Sequence, residues 1–174
     1  DYEKWLAFNA SAALAGIAGY SYEKQVNWLD GDAVVSIVPM MVTANFFDVT
    51  GMPIAKGRAF TAVEARAEDD PRLVVVSHEF WQRKLGSDAN VIGRALTLNG
   101  ESYTVLGVLA PRARSVASFG IAPGVYAPLN RQLIPELMNR DAAVVKLLGR
   151  LKPDQSPPQG RQLMDALDRR IGRA

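Results

Sequence analysis

Apolar residues in this chain fall mostly in short runs broken by turn-forming residues. Leu73-Val74-Val75-Val76 is continuous and apolar, which predicts a strand buried on both faces. Val34, Val35, Ile37 and Val38 are β-branched and follow the turn signal Asp30-Gly31-Asp32, so a hairpin is expected within 20–43, with Pro39 marking an edge or bulge. The clearest hairpin lies over 94–108. Leu96 and Leu98 share one face, Asn99-Gly100 suits the two positive φ values of a type I′ turn, and Tyr103, Val105 and Gly107 alternate. Further strands are expected over 125–129, ending at Pro128, and over 142–151.

Helical spacing is expected over 1–20, where Tyr2, Trp5, Leu6 and Phe8 give a partial apolar face that Leu14, Ile17 and Ala18 continue. A short helix follows over 45–49, stopped by Gly51 in the left-handed region. Thr61-Ala62-Val63-Glu64 fits a capping box within a loop over 57–71. Ser77 is a suitable N-cap for a helix over 78–85, which Gly86 closes. Residues 130–140 read as helical, with Pro135 as a restart or kink. Ser156-Pro157-Pro158-Gln159 is a second capping box with proline at the first helical position, and Leu163, Leu167 and Ile171 then fall four apart. Strands and helices mixed in this order predict an α+β fold: a mixed or antiparallel sheet with packed helices. Two lobes are expected within a single domain over 1–174, one joining the two ends (1–45 with 142–174) and one formed by the middle (46–141).

A chain of 174 residues suits one domain and buries roughly 70% of its unfolded surface, enough for a core without staples. Net charge is +2 and the charges are interspersed, which argues against a nucleic-acid partner. Cysteine is absent, which excludes disulfides, thiolate metal sites and cysteine nucleophiles. No run of about 18 apolar residues is present to span a bilayer. The chain opens at Asp1 without a signal peptide, so it reads as a soluble piece excised from a longer protein.

Catalytic chemistry has little to work with. His78 is the single histidine, and Ser77 beside it is better explained as a helix cap than as a nucleophile. There is no Gly-x-Ser-x-Gly elbow, no Gly-x-Gly-x-x-Gly and no Walker A loop. Glu64, Glu68, Asp69 and Asp70 lack EF-hand spacing and read as a solvated acidic loop. No catalytic, cofactor-binding or metal-binding residue is therefore expected. Phe80 and Trp81 are consecutive on a helix, so one of them sits at the rim. Half-buried packing accounts for Trp81, and an exposed indole would be a partner contact. The irregular stretch 112–124 offers Arg112, Arg114 and Phe119 as further contacts.

The order of these motifs resembles the extracytoplasmic core domain of MacB-like, FtsX-type ABC transporter permeases. The resemblance rests on Asn45-Phe46-Phe47-Asp48-Val49 through Gly57-Arg58, and on Val74-Val75-Val76-Ser77 with Phe80-Trp81. Gly93-Arg94, Leu98-Asn99-Gly100, the stretch from Tyr103 to Val108, Val125-Tyr126-Ala127-Pro128-Leu129 and Gly149-Arg150-Leu151-Lys152-Pro153 add to it. It covers nearly the whole chain, and no single motif is specific. It implies a porter-like lobe plus a smaller mixed α/β lobe on the periplasmic side of a bacterial inner membrane, with no catalysis of its own. Implied partners are the transmembrane helices of a parent permease, an ATPase subunit or domain acting from the cytoplasm, and a periplasmic adaptor or a lipoprotein or peptide substrate. The strand that leaves the first membrane helix is expected to be missing at the start. The alternatives are a stand-alone module binding a peptide or small ligand through 112–124, and a hydrolase using His78 with the acidic loop.

Overall fold

The computed structural model describes residues 14–22, 25–65, 71–116, 123–129 and 145–171. In chain order the strands are β1 (Leu14–Ser21), β2 (Val26–Asp30), β3 (Ala33–Ile37), β4 (Met40–Val42), β5 (Ile54–Gly57), β6 (Leu73–Val76), β7 (Ala95–Leu98), β8 (Glu101–Leu109), β9 (Val125–Pro128) and β10 (Lys146–Leu151). The helices are α1 (Phe46–Thr50), α2 (His78–Lys84) and α3 (Pro157–Ile171). All strands join one sheet in the order β10-β1-β4-β9-β6-β8-β7-β2-β3, with β5 paired to β8. The β4–β9 and β6–β8 pairs are parallel and the others antiparallel. The fold is α+β with a mixed sheet.

Each face of the sheet carries its own core. Val74 and Val76 of β6 point to one side, with Trp28, Phe80, Leu98 and Val105. Val75 points to the other, with Phe46, Phe47, Phe60 and Tyr126. A strand buried on both faces has no polar side to show, which is why Leu73–Val76 is continuously apolar. In β8 the pairing to β6 skips Leu106, so Val105 and Val108 both reach the first core while Leu106 and Leu109 serve the second.

Residues 14–20 form a strand, not the helix that their spacing predicts. Leu14, Ile17 and Ala18 are all buried, but so are Gly16 and Gly19, a double-sided burial that a three-and-four spacing mimics over one short run. β10 pairs along β1, and β4 joins its other side at Tyr20 and Ser21. A Cβ on Gly19 would stand 3.0 Å from Val145 Cγ1 and 3.2 Å from Thr43 Cγ2, so any larger residue would have to displace these methyl groups by a few tenths of an ångström. β5 (Ile54–Gly57) is a strand in a stretch that carries no expectation from the sequence, apart from Gly57 at the start of the expected loop. The predicted helix over 130–140, residues 1–13 and 142–144, and the side chains of Leu163, Leu167 and Ile171 lie outside the described residues.

Candidate partner-contact surface

α2 starts where the sequence places it. Ser77 Oγ accepts the Phe80 N–H at 3.1 Å, which satisfies one free donor of the first turn. Phe80 then turns into the core and stacks obliquely on Trp28, with ring centroids 5.0 Å apart. Trp81, one residue on, lies half-buried at the rim. Its Nε1–H donates to the Asp88 carbonyl at 2.8 Å, Lys56 Nζ sits 5.3 Å from its ring centre, and His78 meets it edge-on at 5.3 Å. The indole thus closes the loop after α2 while keeping part of its face in solvent. His78 is an aromatic neighbour of Trp81. Among the described residues it shares no hydrogen bond with Ser77, so no nucleophile–base pair is assembled there.

Arg112 and Arg114 are exposed on the segment after β8. Ala113 between them packs on the second core, and Ser115 hydrogen-bonds the Tyr126 hydroxyl, which seats this segment on the face opposite Trp81. Burial pushes the Tyr126 phenol up to about 12, against the smaller opposing effect of that bond. Trp81 and the two arginines therefore belong to different faces and do not form one patch. Phe119 lies outside the described residues.

Several polar residues turn out to be structural ties. Asn45 was expected to start a helix, and its side chain makes no cap bond. Instead its Oδ1 accepts from Thr43 Oγ1 at 2.7 Å and its Nδ2 donates to the Ile17 carbonyl at 2.8 Å, while Thr43 Oγ1 accepts the Gly19 N–H at 3.2 Å. With the Thr43 N–H donating to the Gly19 carbonyl at 3.0 Å, these bonds extend the β1–β4 pairing past Tyr20 and Val42. Arg150 Nε donates to the Val49 carbonyl at 2.6 Å, placing a cation at the end of α1 and fixing it to β10.

Glu64 is the centre of the best-defined charge cluster. It accepts two hydrogen bonds from Arg58 at 2.7 Å each, and the capping box forms as predicted: Thr61 N–H to Glu64 Oε2 at 3.0 Å, Glu64 N–H to Thr61 Oγ1 at 3.2 Å. The Arg58 bonds first, then those from Thr61, hold its carboxyl down at about 2. Glu68, Asp69 and Asp70 lie outside the described residues. Among the described ones no group of three His, Asp or Glu residues is placed to hold a metal ion. Arg58 is the partner that sequence reasoning missed. Its motif, Gly57-Arg58, carries a second signal: a Cβ on Gly107 would stand 2.5 Å from the Arg58 carbonyl oxygen, so β8 needs glycine there to accept this neighbour.

A shallow gap of about 240 Å³ lies between β10 and α3, lined by Leu14, Gly149, Leu151, Pro157, Gly160 and Arg161. It is smaller than the roughly 300 Å³ at which small-molecule pockets begin. No helix among the described residues is long and apolar enough to cross a membrane.

The polar side chains described above form helix caps and inter-strand ties around a mixed sheet that carries a core on each face. Residues 1–167 match the family described as the MacB-like periplasmic core domain, and the chain belongs to that family. The family is a periplasmic domain of ABC transporter permeases rather than an enzyme family. Over 91 residues, 52% of this chain, it is 31% identical to the macrolide export ATP-binding/permease protein MacB of Chromobacterium violaceum, and the match covers 13% of that protein's length. Its fold is similar to the periplasmic region of MacB from Actinobacillus actinomycetemcomitans, with a TM-score of 0.69 at 14% identity over 95% of this chain and 72% of that one. It is also similar to the extracellular domain of the noncanonic ABC-type transporter YknZ from Gram-positive bacteria, with a TM-score of 0.63 at 16% identity over 92% of this chain and 75% of that one.

Proposed function

We propose that this domain couples conformational change in a parent ABC permease to the handling of a substrate or partner outside the membrane, without catalysis of its own. The observation that carries the reading is the family match over residues 1–167. The architecture supports it. β1 and β10 pair antiparallel beside one edge of the sheet, with Leu14 opposite Leu151, which brings the first and last strands of the domain together, as suits an insertion between two membrane helices. In this reading the partners are those helices, a cytoplasmic ATPase, and a periplasmic adaptor or a lipoprotein or peptide substrate, with Trp81 and the Arg112–Arg114 segment as separate contacts. The two-lobe organisation belongs to the same proposal. The β1–β10 pair supports a lobe that joins 1–45 with 142–174, whereas the β2–β7 pair, which ties the hairpin within 1–45 to 97–98, speaks against placing the hairpin in that lobe.

The test replaces residues 14–171 in the parent gene by a short glycine-serine linker. Basal ATP hydrolysis of the purified permease is expected to persist, while cells show the same phenotype as deletion of the whole gene. A wild-type phenotype with the domain gone would overturn the coupling role.

A further inference from the structure

β3 ends the sheet, and among the described residues nothing pairs with its outer side. The direction of its free backbone groups follows from β2. Asn27 donates its N–H to Asn99 Oδ1 and accepts from the Asn99 N–H, both at 2.8 Å, so it faces β7. Alternation along an antiparallel strand then turns Val26 and Trp28 toward β3, where they pair with Ile37 and Val35. Val34 and Ser36 are left with N–H and C=O directed away from the sheet.

Sheet edges are normally blunted by charge, proline or a bulge. β3 has none of these: Ala33–Ile37 is uncharged and holds register with β2 over the whole strand. The opposite edge differs, since β10 carries Lys146 and Arg150 and its pairing with β1 is irregular. The two most exposed large hydrophobics within strands, Val34 at 66% and Leu29 at 45%, are cross-strand partners beside this edge. Their row continues through Thr97 to Ser102 without a charge. At the hairpin tip Asp30 and Asp32 are exposed and make no ion pair among the described residues.

We infer that β3 accepts an added strand from a partner protein: an extended segment running antiparallel to it, apolar opposite Val34, and cationic at its C-terminal end beside Asp30 and Asp32. Main-chain hydrogen bonds to Val34 and Ser36 supply the affinity, and the apolar and acidic neighbours supply the choice of sequence. A second copy of this chain matches the edge less well. Two-fold pairing about Val35 lays each Asp32 against the uncharged stretch that follows Ile37 in the other copy, so the carboxylates gain no cation. The inference does not rest on the permease reading.

The test uses the full chain and an N-acetylated, C-amidated peptide of alternating valine and threonine that ends in two lysines, with a second peptide ending in two glutamates. Hydrogen exchange at the Val34 and Ser36 amides is the readout. The lysine peptide is expected to protect both amides saturably, with about tenfold weaker binding by the glutamate peptide at low salt. Ser36→Pro removes one outward N–H while leaving the β2 ladder intact, and is expected to abolish the protection of the Val34 amide, which is then the readout. Val34→Lys, which blunts the edge without touching the backbone, is expected to weaken it. Equal protection by both peptides, or none by either, would overturn the inference. Protection that grows with protein concentration in the absence of peptide would overturn it in favour of self-pairing.

Discussion

Among the described residues, Tyr126 and Glu64 have their titration shifted far by the fold, in opposite directions. Tyr126 is 2% exposed among aromatic neighbours, and its phenol is pushed up to about 12. An unfolded chain releases that proton near pH 10. The native state therefore holds a proton that the unfolded state gives up, and stability contributed by the neutral phenol is present below about pH 10 and declines through about pH 12. A two-unit shift corresponds to roughly 3 kcal/mol at full effect. Tyr126→Phe is expected to flatten the alkaline limb of a stability–pH curve measured by denaturant titration, relative to wild type. An unchanged alkaline slope would mean that the hydroxyl is hydrated. Glu64 behaves in the reverse sense. Its carboxyl is lowered to about 2, so its contribution is present above about pH 4.5 and lost as pH falls toward 2. That contribution is small because both Glu64 and Arg58 are substantially exposed.

At the scale of elements, the β7–β8 hairpin shows best what local sequence determines. Asn99 and Gly100 take φ values of 51° and 82°, as a two-residue type I′ turn requires. Gly100→Val is expected to destabilise the protein by about 1 kcal/mol or more, because a β-branched residue has no comfortable left-handed conformation. A thermal melt would show this as a drop of roughly 2–4 °C per kcal/mol. An unchanged melting temperature would mean that the turn has relaxed to another type. Asn99 also has a second task, closing the ladder onto β2 through its side chain, and nothing in the dipeptide announces it. This is the general boundary of what could be read. Caps, turns and a strand buried on both faces depend on neighbours in sequence, and Ser77, Thr61, Ser156, Asn99-Gly100 and Leu73–Val76 all behave as their chemistry requires. β1 and β5 depend on distant partners. β1 is a strand because β10 and β4 bond to it, and its small residues are tolerated because Val145 and Thr43 need the space. Arg58 finds Glu64 six residues on across a loop, and Arg150 reaches a carbonyl on α1. No periodicity encodes such ties. The alternating burial that splits Trp81 from Arg112 and Arg114 needs the whole sheet before it can be seen.

For the whole molecule, the placement of β1 and β10 determines how the domain responds to a pull applied where Leu14 meets Leu151. The two strands are antiparallel, with Leu14 opposite Leu151, so force applied at that end peels one pair at a time instead of shearing the ladder at once. β10 lies at the sheet edge and is only half-buried, whereas β6, β8 and β9 are enclosed by cores on both faces. Local opening free energies follow such differences in burial. The chain has no cysteine, so Ala15→Cys and Lys152→Cys, both at exposed positions, supply unique handles beside the β1–β10 terminus. Pulling between them is expected to release β10 from β1 first, at low force, and to leave the rest of the sheet for a later, higher-force event. Replacing Arg150 by Ala removes the bond from β10 to the Val49 carbonyl and should lower the first force without moving the second. A single all-or-none rupture would show that β10 is as firmly held as the central strands. In that case an end-to-end load would pass through the domain as through a rigid body, without freeing an edge.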